Sequence, residues 1–217
     1  MRIICMSKKN DLFKKAVDIF KEKVYGKDRI AVAFSGGKTP KEFYRKLAKE
    51  DIAWDKIDIF MVDEKYTALT SVDSNFNLLK KNLLDKIEIP KENIYKIEFL
   101  KTPLDSKLDY EKRLLKYFHG NIEFDLVFLG IGEDGHTASI FEVDDALLEE
   151  PVIITENQRH EYVRISLSLN TINKAKDKIF LATQEKEKIL NDLHRLKYPA
   201  SLVEDPIYLI EKNTEKS

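Results

Sequence analysis

The chain has 217 residues, and its 37 Lys and Arg residues nearly balance its 38 Asp and Glu residues, which leaves a formal net charge of −1. A chain of this length buries a full hydrophobic core, and we expect one α/β domain over residues 1–217. Because the net charge is small, no overall field attracts nucleic acid or an anionic membrane, and any anionic ligand must be bound by local positive groups.

Short apolar runs alternate along the chain with stretches of helical periodicity. The predicted strands are 2–6, 30–34, 57–62, 124–130, 162–169, 177–183 and 206–211. The predicted helices are 9–25, 40–50, 75–87, 105–118 and 185–197. This alternation is typical of the α/β class and predicts a mostly parallel sheet flanked by helices.

The N-terminal segment contains Cys5, the one cysteine of the chain, within the apolar run RIICM. A lone cysteine excludes an intramolecular disulfide, and we expect a small buried thiol. The apolar run is too short for a signal peptide, and no later segment is long enough to span a bilayer. The sequence therefore predicts a cytoplasmic protein with no membrane partner.

Three polar or glycine-rich breaks, at 35–39, 63–66 and 130–136, each follow a predicted strand directly. In parallel sheets, ligands bind beyond the carboxyl ends of the strands. We therefore expect the three breaks to lie together on one rim of the sheet and to form any small-molecule site there.

The first break reads SGGKTP at 35–40 and leads into a predicted helix. Thr39 is expected to cap the helix N-terminus, and Glu42 to complete a capping box. Glycines beside a helix N-terminus expose backbone N–H groups and the positive end of the dipole, which suits a phosphate or carboxylate, and Lys38 adds charge. The Walker and dinucleotide-binding glycine patterns are both missing. The segment alone is equally compatible with an ordinary tight turn.

The second break starts with Asp63, Glu64 and Lys65, and it ends at Ser74 and Asn75, where the next predicted helix begins. Charged residues after a strand ordinarily begin a solvated loop, and Ser before a helix is a typical cap. Taken alone, this segment predicts a polar loop followed by a helix cap.

The third break, GIGEDGHTAS at 130–139, places two carboxylates and a histidine among glycines. A zinc site needs several His or Cys ligands at regular spacing, and the other histidines, His119, His160 and His194, follow no such pattern. We therefore expect no metal here. A serine nucleophile is not supported either, because Ser139 lacks the G-x-S-x-G pattern.

Two interpretations of His136 in this break remain. In one, its imidazole is a general base that takes a proton from water, and Asp134 orients the ring. In the other, the histidine merely caps the following turn, which is the usual role of a single histidine in a loop.

Six motifs occur in a fixed order along nearly the whole chain. They are SGGKTP (35–40), DEK (63–65), SNFNLL (74–79), GIGEDGHTASIF (130–141), RISLSLNTINKA (164–175) and PASLV (199–203). Their order and spacing resemble those of the 6-phosphogluconolactonase family, for which the histidine motif is specific.

Three positions depart from the pattern of that family. Lys65 stands where the family usually has arginine, which keeps the charge but loses the planar fork that binds phosphate. Glu142 replaces a proline. The segment ATQEKEKIL lacks the family's usual glycine, and Lys186 matches the family's late lysine only across a one-residue gap.

The resemblance implies a Rossmann-like open sheet of the sugar-phosphate isomerase/deaminase type, in a single lactonase domain. It implies hydrolysis of 6-phosphoglucono-δ-lactone, the second step of the pentose phosphate pathway, with a sugar phosphate as the partner, no cofactor and no metal. The residues implied in substrate and phosphate binding are Gly36, Gly37, Lys38, Thr39, Asp63, Lys65, Arg164 and Lys186.

The resemblance also implies roles in the third break. His136 would activate water and Asp134 would orient the imidazole, while Glu133 would face solvent. A glycine N–H of 130–135 or a lysine would stabilise the developing oxyanion.

Two other functions occur on the same fold. Glucosamine-6-phosphate deaminases carry a similar GxGxDGH turn, but a pattern like IAFNEP follows their histidine, whereas HTASIF here is similar to the lactonases. Some sugar-sensing regulators use the fold as a binding module behind a helix-turn-helix domain, which we do not expect here because the chain begins with its first strand. The sequence leaves the oligomeric state open and is compatible with a monomer.

Overall fold

The structure is a computed structural model that describes residues 2–193 and 195–212, so His194 lies outside the described residues. The strands are β1 (Arg2–Met6), β2 (Ile30–Phe34), β3 (Ile57–Met61), β4 (Asp63–Lys65), β5 (Ile94–Tyr95), β6 (Leu126–Leu129), β7 (Val152–Thr155), β8 (Arg164–Leu167), β9 (Asp177–Ala182) and β10 (Ile207–Glu211). The α-helices are α1 (Lys9–Val24), α2 (Pro40–Leu47), α3 (Asn75–Asn82), α4 (Pro103–Tyr117), α5 (Val143–Ala146), α6 (Leu169–Asn173) and α7 (Glu187–Asp192). Short 3₁₀ turns cover Trp54–Lys56, Leu84–Lys86, Lys91–Asn93, Gln184–Lys186 and Pro199–Leu202. None of the described helices combines the length and the apolar character needed to cross a bilayer.

Seven strands form one sheet in the order β1-β10-β9-β6-β2-β3-β5, and every neighbouring pair is parallel. All residues of β2, β3 and β6 are buried, as expected for parallel strands with both faces covered. These three strands are neighbours, and Phe34 pairs with both Met61 and Phe128. The predicted α/β class is confirmed, and the three breaks leave the sheet on one rim as predicted.

A second, three-stranded sheet in the order β4-β8-β7 is antiparallel and corrects two predictions. The segment 63–66 was expected to be a polar loop, and 162–169 a strand of the main sheet. Instead, β4 and β8 pair with each other, with Lys65 opposite Arg164. A three-residue strand of charged side chains has no apolar alternation, so its sequence does not indicate a strand.

The ends of several helices differ from the sequence prediction. α2, α3 and α7 are shorter than the helices predicted at 40–50, 75–87 and 185–197. Leu83, with φ −131° and ψ −66°, is not helical and ends α3. Because Leu83 and the residue after it are buried, the apolar spacing continues past the break and periodicity does not reveal it. The short elements β5, β7, α5 and α6 were not predicted.

An aromatic cluster holds α1 and α2 against β2 and β6. The rings of Phe34 on β2 and Phe128 on β6 stack with their centroids 5.6 Å apart. Phe43 of α2 lies 4.6 Å from Phe128, and Phe20 of α1 lies 6.1 Å from Phe34. All four rings are buried. This packing fixes the N-terminus of α2 at the carboxyl rim of the sheet.

Cys5 is exposed, so the expectation of a buried thiol is wrong. The residue lies on β1, an edge strand of the seven-stranded sheet whose one neighbour is β10. Residues two apart on a strand share a face, and Ile3 is also 52% exposed. This face of the edge strand is therefore uncovered, although its residues are apolar.

A buried charge network lies at the amino ends of the strands, away from the three breaks. The carboxylate of Asp58 on β3 is fully buried and accepts hydrogen bonds from Arg29 Nε at 2.5 Å, Arg29 Nη2 at 2.6 Å and the Tyr117 hydroxyl at 2.7 Å. The hydrogen bond with Asp58 raises the pKa of Arg29, and burial together with the same carboxylate raises the pKa of Tyr117. The network ties β3 to α4 and to the segment before β2.

We predict that Arg29→Ala lowers the free energy of unfolding by about 1–3 kcal/mol, because it leaves the buried carboxylate of Asp58 without its charge partner. Urea denaturation monitored by circular dichroism measures the change. In an Asp58→Asn background the same substitution should cost much less, since no buried charge is left unpaired. An equal cost in both backgrounds would show that Arg29 acts independently of Asp58.

Candidate active site

A cavity of about 250 Å³ opens at the carboxyl ends of β2, β3 and β6. All three breaks contribute to its wall, together with α3 and the segment that leads into β8. The predicted site residues that line it are Gly36, Gly37, Lys38, Thr39, Asp63, Lys65, His136 and Arg164. Residues from distant parts of the sequence therefore converge on one concave site.

The glycine turn of the first break packs tightly against α3. A Cβ at Gly36 would overlap the side chain of Asn75, the first residue of α3, so only glycine fits there. The buried Tyr44 hydroxyl donates a hydrogen bond to the Ser35 carbonyl from the other side. Asn75 itself lines the cavity and donates to the Asp63 carbonyl at 3.0 Å. Sequence reasoning identified Asn75 only as part of a helix cap.

The predicted capping box of α2 is not formed. Thr39 has helical angles, φ −62° and ψ −51°, and its side chain makes no capping hydrogen bond. Glu42 instead pairs with Arg45 at 2.6 Å. Because Thr39 is already helical, its hydroxyl does not accept a hydrogen bond from the backbone N–H groups of the first turn. The residue lines the cavity instead. The Ser74 cap of α3 is confirmed, since its hydroxyl accepts from the Asn77 N–H at 3.1 Å.

The pairing of β4 with β8 brings two cations and a carboxylate to the cavity. Lys65 and Arg164 stand opposite each other in the antiparallel register. Asp63 is buried, and its carboxylate accepts the Ser139 hydroxyl at 2.6 Å. Burial lowers the pKa of Arg164, and the carboxylates of Asp63 and Glu64 act in the opposite direction. This wall of the cavity is therefore polar and positively charged next to a buried acid.

Glu64 supports this wall from behind. Its buried carboxylate accepts hydrogen bonds from the Lys65, Asn75 and Phe76 N–H groups at 2.8, 2.7 and 2.8 Å and from the Ser74 hydroxyl at 2.9 Å. Burial raises the pKa of Glu64, and these hydrogen bonds oppose the rise. The carboxylate joins β4 to the N-terminus of α3 and so fixes Asn75 in the cavity wall.

Two buried polar atoms in the cavity wall lack a hydrogen-bond partner among the described residues. They are the Ser35 hydroxyl oxygen and Arg164 Nε. Arg164 is only 8% exposed, and buried donors of this kind are nearly always paired in folded proteins. A guanidinium N–H favours an anionic acceptor, so an unpaired arginine next to the cavity suits an anionic ligand.

The His136 imidazole is held by Asp134. The distance from His136 Nδ1 to Asp134 Oδ1 is 2.5 Å. The pKa of Asp134 lies well below its usual range: burial acts to raise it, but the hydrogen bonds and charge of His136 lower it by more. An ionised carboxylate only accepts hydrogen bonds, so Nδ1 carries the proton. Neutral His136 therefore leaves Nε2 as its basic nitrogen, as the general-base interpretation requires.

The glycine turn around this pair is shaped by close contacts. A Cβ at Gly132 would overlap His136 Nδ1 and approach the Asp134 carboxylate. The N–H of Gly132 donates to the His136 carbonyl at 2.8 Å, and that of Gly135 donates to the Gly132 carbonyl at 3.2 Å. Two of the glycine N–H groups considered as oxyanion donors are therefore already in use. Lys38 and Lys65, which line the cavity, are the lysines that remain for this role.

A second histidine, His160, also lines the cavity and was missed by sequence reasoning. It lies in the loop between β7 and β8, and its Nε2 is 3.4 Å from Asp134 Oδ2. Its ring stacks on Phe141 with a centroid distance of 4.5 Å. No spacing pattern links it to His136, because the two residues meet only through the packing of separate loops.

The side chains of Asp134, His136 and His160 bring potential metal ligands within 4.8 Å of one another. Two ligands of a tetrahedral zinc ion, each about 2 Å from the metal, stand about 3.3 Å apart. The 2.5 Å separation of His136 Nδ1 and Asp134 Oδ1 is instead that of a hydrogen bond. The geometry therefore fits a hydrogen-bonded triad better than a metal centre.

Lys186 is not brought into the cavity. Its ammonium lies 3.9 Å from Glu133 Oε1, outside the cavity wall. Glu133 itself has a side chain that is 96% exposed, as predicted. The segment around Lys186 forms a 3₁₀ turn before α7. Lys186 is thus not among the residues that line the described cavity, and its contact with substrate stays a prediction.

Comparisons with known proteins identify the family to which the chain belongs. A family model described as glucosamine-6-phosphate isomerases/6-phosphogluconolactonase matches residues 8–216. A 6-phosphogluconolactonase of Synechocystis is 33% identical over 184 residues, which cover 80% of this chain and 77% of that protein. The 6-phosphogluconolactonase of Thermotoga maritima is 34% identical over 168 residues, which cover 75% of this chain and 73% of that protein.

Solved structures show the same fold. The crystal structure of the Thermotoga maritima 6-phosphogluconolactonase superposes with a TM-score of 0.86 at 27% identity, covering 95% of this chain and 97% of that one. A monomeric glucosamine-6-phosphate deaminase superposes with a TM-score of 0.84 at 16% identity, covering 98% of each chain. At that identity the second likeness is one of fold alone. The predicted open sheet of the sugar-phosphate isomerase/deaminase type is thus confirmed.

We predict that inorganic phosphate raises the midpoint of thermal unfolding, because a ligand that binds the native state stabilises it. Arg164→Gln should weaken this binding at least about tenfold, since it removes a charge-assisted donor from the cavity. Arg195→Gln, the same substitution at an exposed arginine that does not line the cavity, is the matched control and should keep the wild-type phosphate dependence. An unchanged phosphate dependence in Arg164→Gln would contradict the assignment of Arg164.

Proposed function

The chain belongs to the family of glucosamine-6-phosphate isomerases and 6-phosphogluconolactonases, and we propose that it hydrolyses 6-phosphoglucono-δ-lactone to 6-phosphogluconate, the second step of the pentose phosphate pathway. The relatives that carry the name of this activity align with most of the chain. The observation that carries the proposal is the cavity itself, which brings an oriented imidazole together with the cations Lys38, Lys65 and Arg164. Lactone hydrolysis needs this combination of a base and an anion-binding wall.

In this mechanism His136 Nε2 takes a proton from a water molecule as the water oxygen attacks the lactone carbonyl carbon. The resulting tetrahedral intermediate collapses by breaking the bond between that carbon and the ring oxygen. His136 then returns the proton to the departing ring oxygen, which becomes a hydroxyl group of the open-chain product. The product acid loses its own proton to solvent.

Asp134 supports both proton transfers. Its ionised carboxylate holds Nδ1–H, which keeps the base on Nε2 and stabilises the imidazolium that forms during the reaction. Because the charge of Asp134 persists through the cycle, the imidazole needs no other counter-ion.

The 6-phosphate is bound by the turn Gly36–Thr39 at the N-terminus of α2, with Lys65 and Arg164 as cationic partners. Backbone N–H groups at a helix N-terminus and the helix dipole favour a phosphate. Arg164 Nε is buried and unpaired, so a phosphate oxygen would satisfy it without breaking an existing contact. Asp63 is held by Ser139 close to this wall and is assigned to the sugar part of the substrate.

The proposal extends to the oligomeric state, the domain organisation and the cellular location of the enzyme. Every side chain in the mechanism comes from one chain, so a monomer is sufficient for activity. One hydrophobic core includes residues of both sheets, which supports a single lactonase domain over 1–217. We assign the protein to the cytoplasm, with a sugar phosphate as its partner and with no cofactor, nucleic acid or membrane.

A direct assay separates this function from its alternatives. Freshly generated 6-phosphoglucono-δ-lactone and glucosamine 6-phosphate are supplied separately, and acid and ammonia production are followed, with spontaneous lactone opening subtracted. We expect catalysed acid production from the lactone and no ammonia. Ammonia release would instead indicate a deaminase, and binding of either sugar phosphate without turnover would indicate a binding module.

We predict that His136→Ala reduces catalysed turnover at least about a hundredfold, because general base assistance is lost. Gly132→Ala should also reduce it by about tenfold or more, since the added Cβ displaces His136 from Asp134. Glu133→Ala is the matched control in the same turn: its side chain is 96% exposed and does not line the cavity, so turnover should stay within about twofold of wild type. Full activity of His136→Ala with an intact fold would show that another group activates the water.

A further inference from the structure

Asp134 is contacted from two sides by two different histidines. His136 Nδ1 binds Oδ1 at 2.5 Å, and His160 Nε2 approaches Oδ2 at 3.4 Å. The other contact to the carboxylate, at 3.4 Å, comes from the backbone N–H of His136 itself. Among the described residues, His160 is thus the hydrogen-bond partner of Asp134 that comes from outside its own turn.

The ring of His160 is itself held in place. It stacks on Phe141 at 4.5 Å with an interplanar angle of 27°, and it meets the His136 ring nearly edge-on, at 5.3 Å and 84°. Its backbone N–H donates to the Asn157 carbonyl at 2.9 Å, and the Asn157 side chain donates to Glu142 at 3.1 Å. The loop between β7 and β8 therefore presents this imidazole in a defined orientation.

The carboxylate needs such a support because of where it lies. Asp134 stands between Gly132 and Gly135. Because glycine can adopt a wide range of backbone angles, this turn alone does not hold the carboxylate in one orientation. Its carboxylate plane determines the direction in which His136 Nδ1–H points, and therefore the direction of Nε2. A partner on Oδ2 from a separate loop restricts rotation of that plane.

We propose that His160 is a positioning residue that orients the Asp134 carboxylate and, through it, the His136 imidazole. The inference rests on the proposed function in so far as His136 is the base. His160 acts at the carboxylate and not on the reacting atoms, so its loss should reduce the rate of the chemical step and leave substrate binding nearly unchanged.

Two substitutions distinguish the contribution of the His160 Nε2 donor from that of the ring's packing on Phe141. His160→Phe keeps the stacking on Phe141 and lacks Nε2, whereas His160→Gln places an amide N–H within reach of the same oxygen. We expect His160→Phe to reduce kcat about three- to tenfold with KM within about twofold, the effect of losing one long hydrogen bond to a charged group. His160→Gln should retain most of the wild-type kcat.

A double-mutant cycle tests whether His160 acts through Asp134. In an Asp134→Asn background, His160→Phe should cause no further loss of kcat. His119→Phe, at an exposed site beyond the end of α4, is the control for the substitution type and should leave kcat unchanged. An equal loss from His160→Phe in both backgrounds, a wild-type kcat in His160→Phe, or a change confined to KM would each overturn the proposal.

A spectroscopic measurement keeps this inference separate from the proposed function. The His136 Nδ1–H proton, bound to the carboxylate, should give a downfield proton resonance in the wild-type protein that exchanges faster with water in His160→Phe and not in His119→Phe. If this difference appears while neither protein hydrolyses the lactone, the positioning role stands and the proposed function fails. If the resonance is unaffected by His160→Phe, the positioning role is wrong whatever the activity.

Discussion

The parallel pairing of β6, β2 and β3 is the constraint on which the rest of the site depends. Because Phe34 of β2 is in register with Met61 on one side and Phe128 on the other, the three strands end at the same level. The glycine turn after β2, the charged segment after β3 and the histidine turn after β6 are thereby placed side by side. The aromatic packing of α1 and α2 on β2 and β6 holds this arrangement together.

The small antiparallel sheet adds two further positive charges to the cavity wall, beside Lys38 of the first break. Its register places Lys65 opposite Arg164, and Glu64 secures β4 to the start of α3 with three hydrogen bonds. The buried acids of this region are hydrogen-bonded, as burial of charge requires. By contrast, the Ser35 hydroxyl and Arg164 Nε lack a partner among the described residues, and the proposed phosphate of the substrate would be an anionic partner for the arginine. A buried donor without a partner lowers the stability of the fold. Functional sites retain such unfavourable features because binding a ligand requires them.

The sequence predicted secondary structure accurately where an element is determined by the pattern of neighbouring residues in the chain. The buried strands and long amphipathic helices carry periodicity, and the alternation of the two predicts the parallel sheet and its rim. The errors have a common origin. Thr39 looks like a cap, yet its helical angles prevent it. Cys5 lies in an apolar run but on an edge strand with an uncovered face. In each case the local pattern is compatible with two placements, and packing selects the one that the pattern does not favour.

The sequence by itself determined the class of fold, the family and the residues of the three breaks, because these depend on short-range spacing and on motifs that are contiguous in the chain. It left open whether His136 is a base or a cap, and the 2.5 Å contact with Asp134 supports the oriented base that we propose. Only the tertiary structure revealed that Asn75 lines the cavity, that Arg164 Nε is unpaired and that His160 reaches Asp134. These features join segments far apart in the chain, and strand order, register and loop packing set such contacts, which no local periodicity encodes.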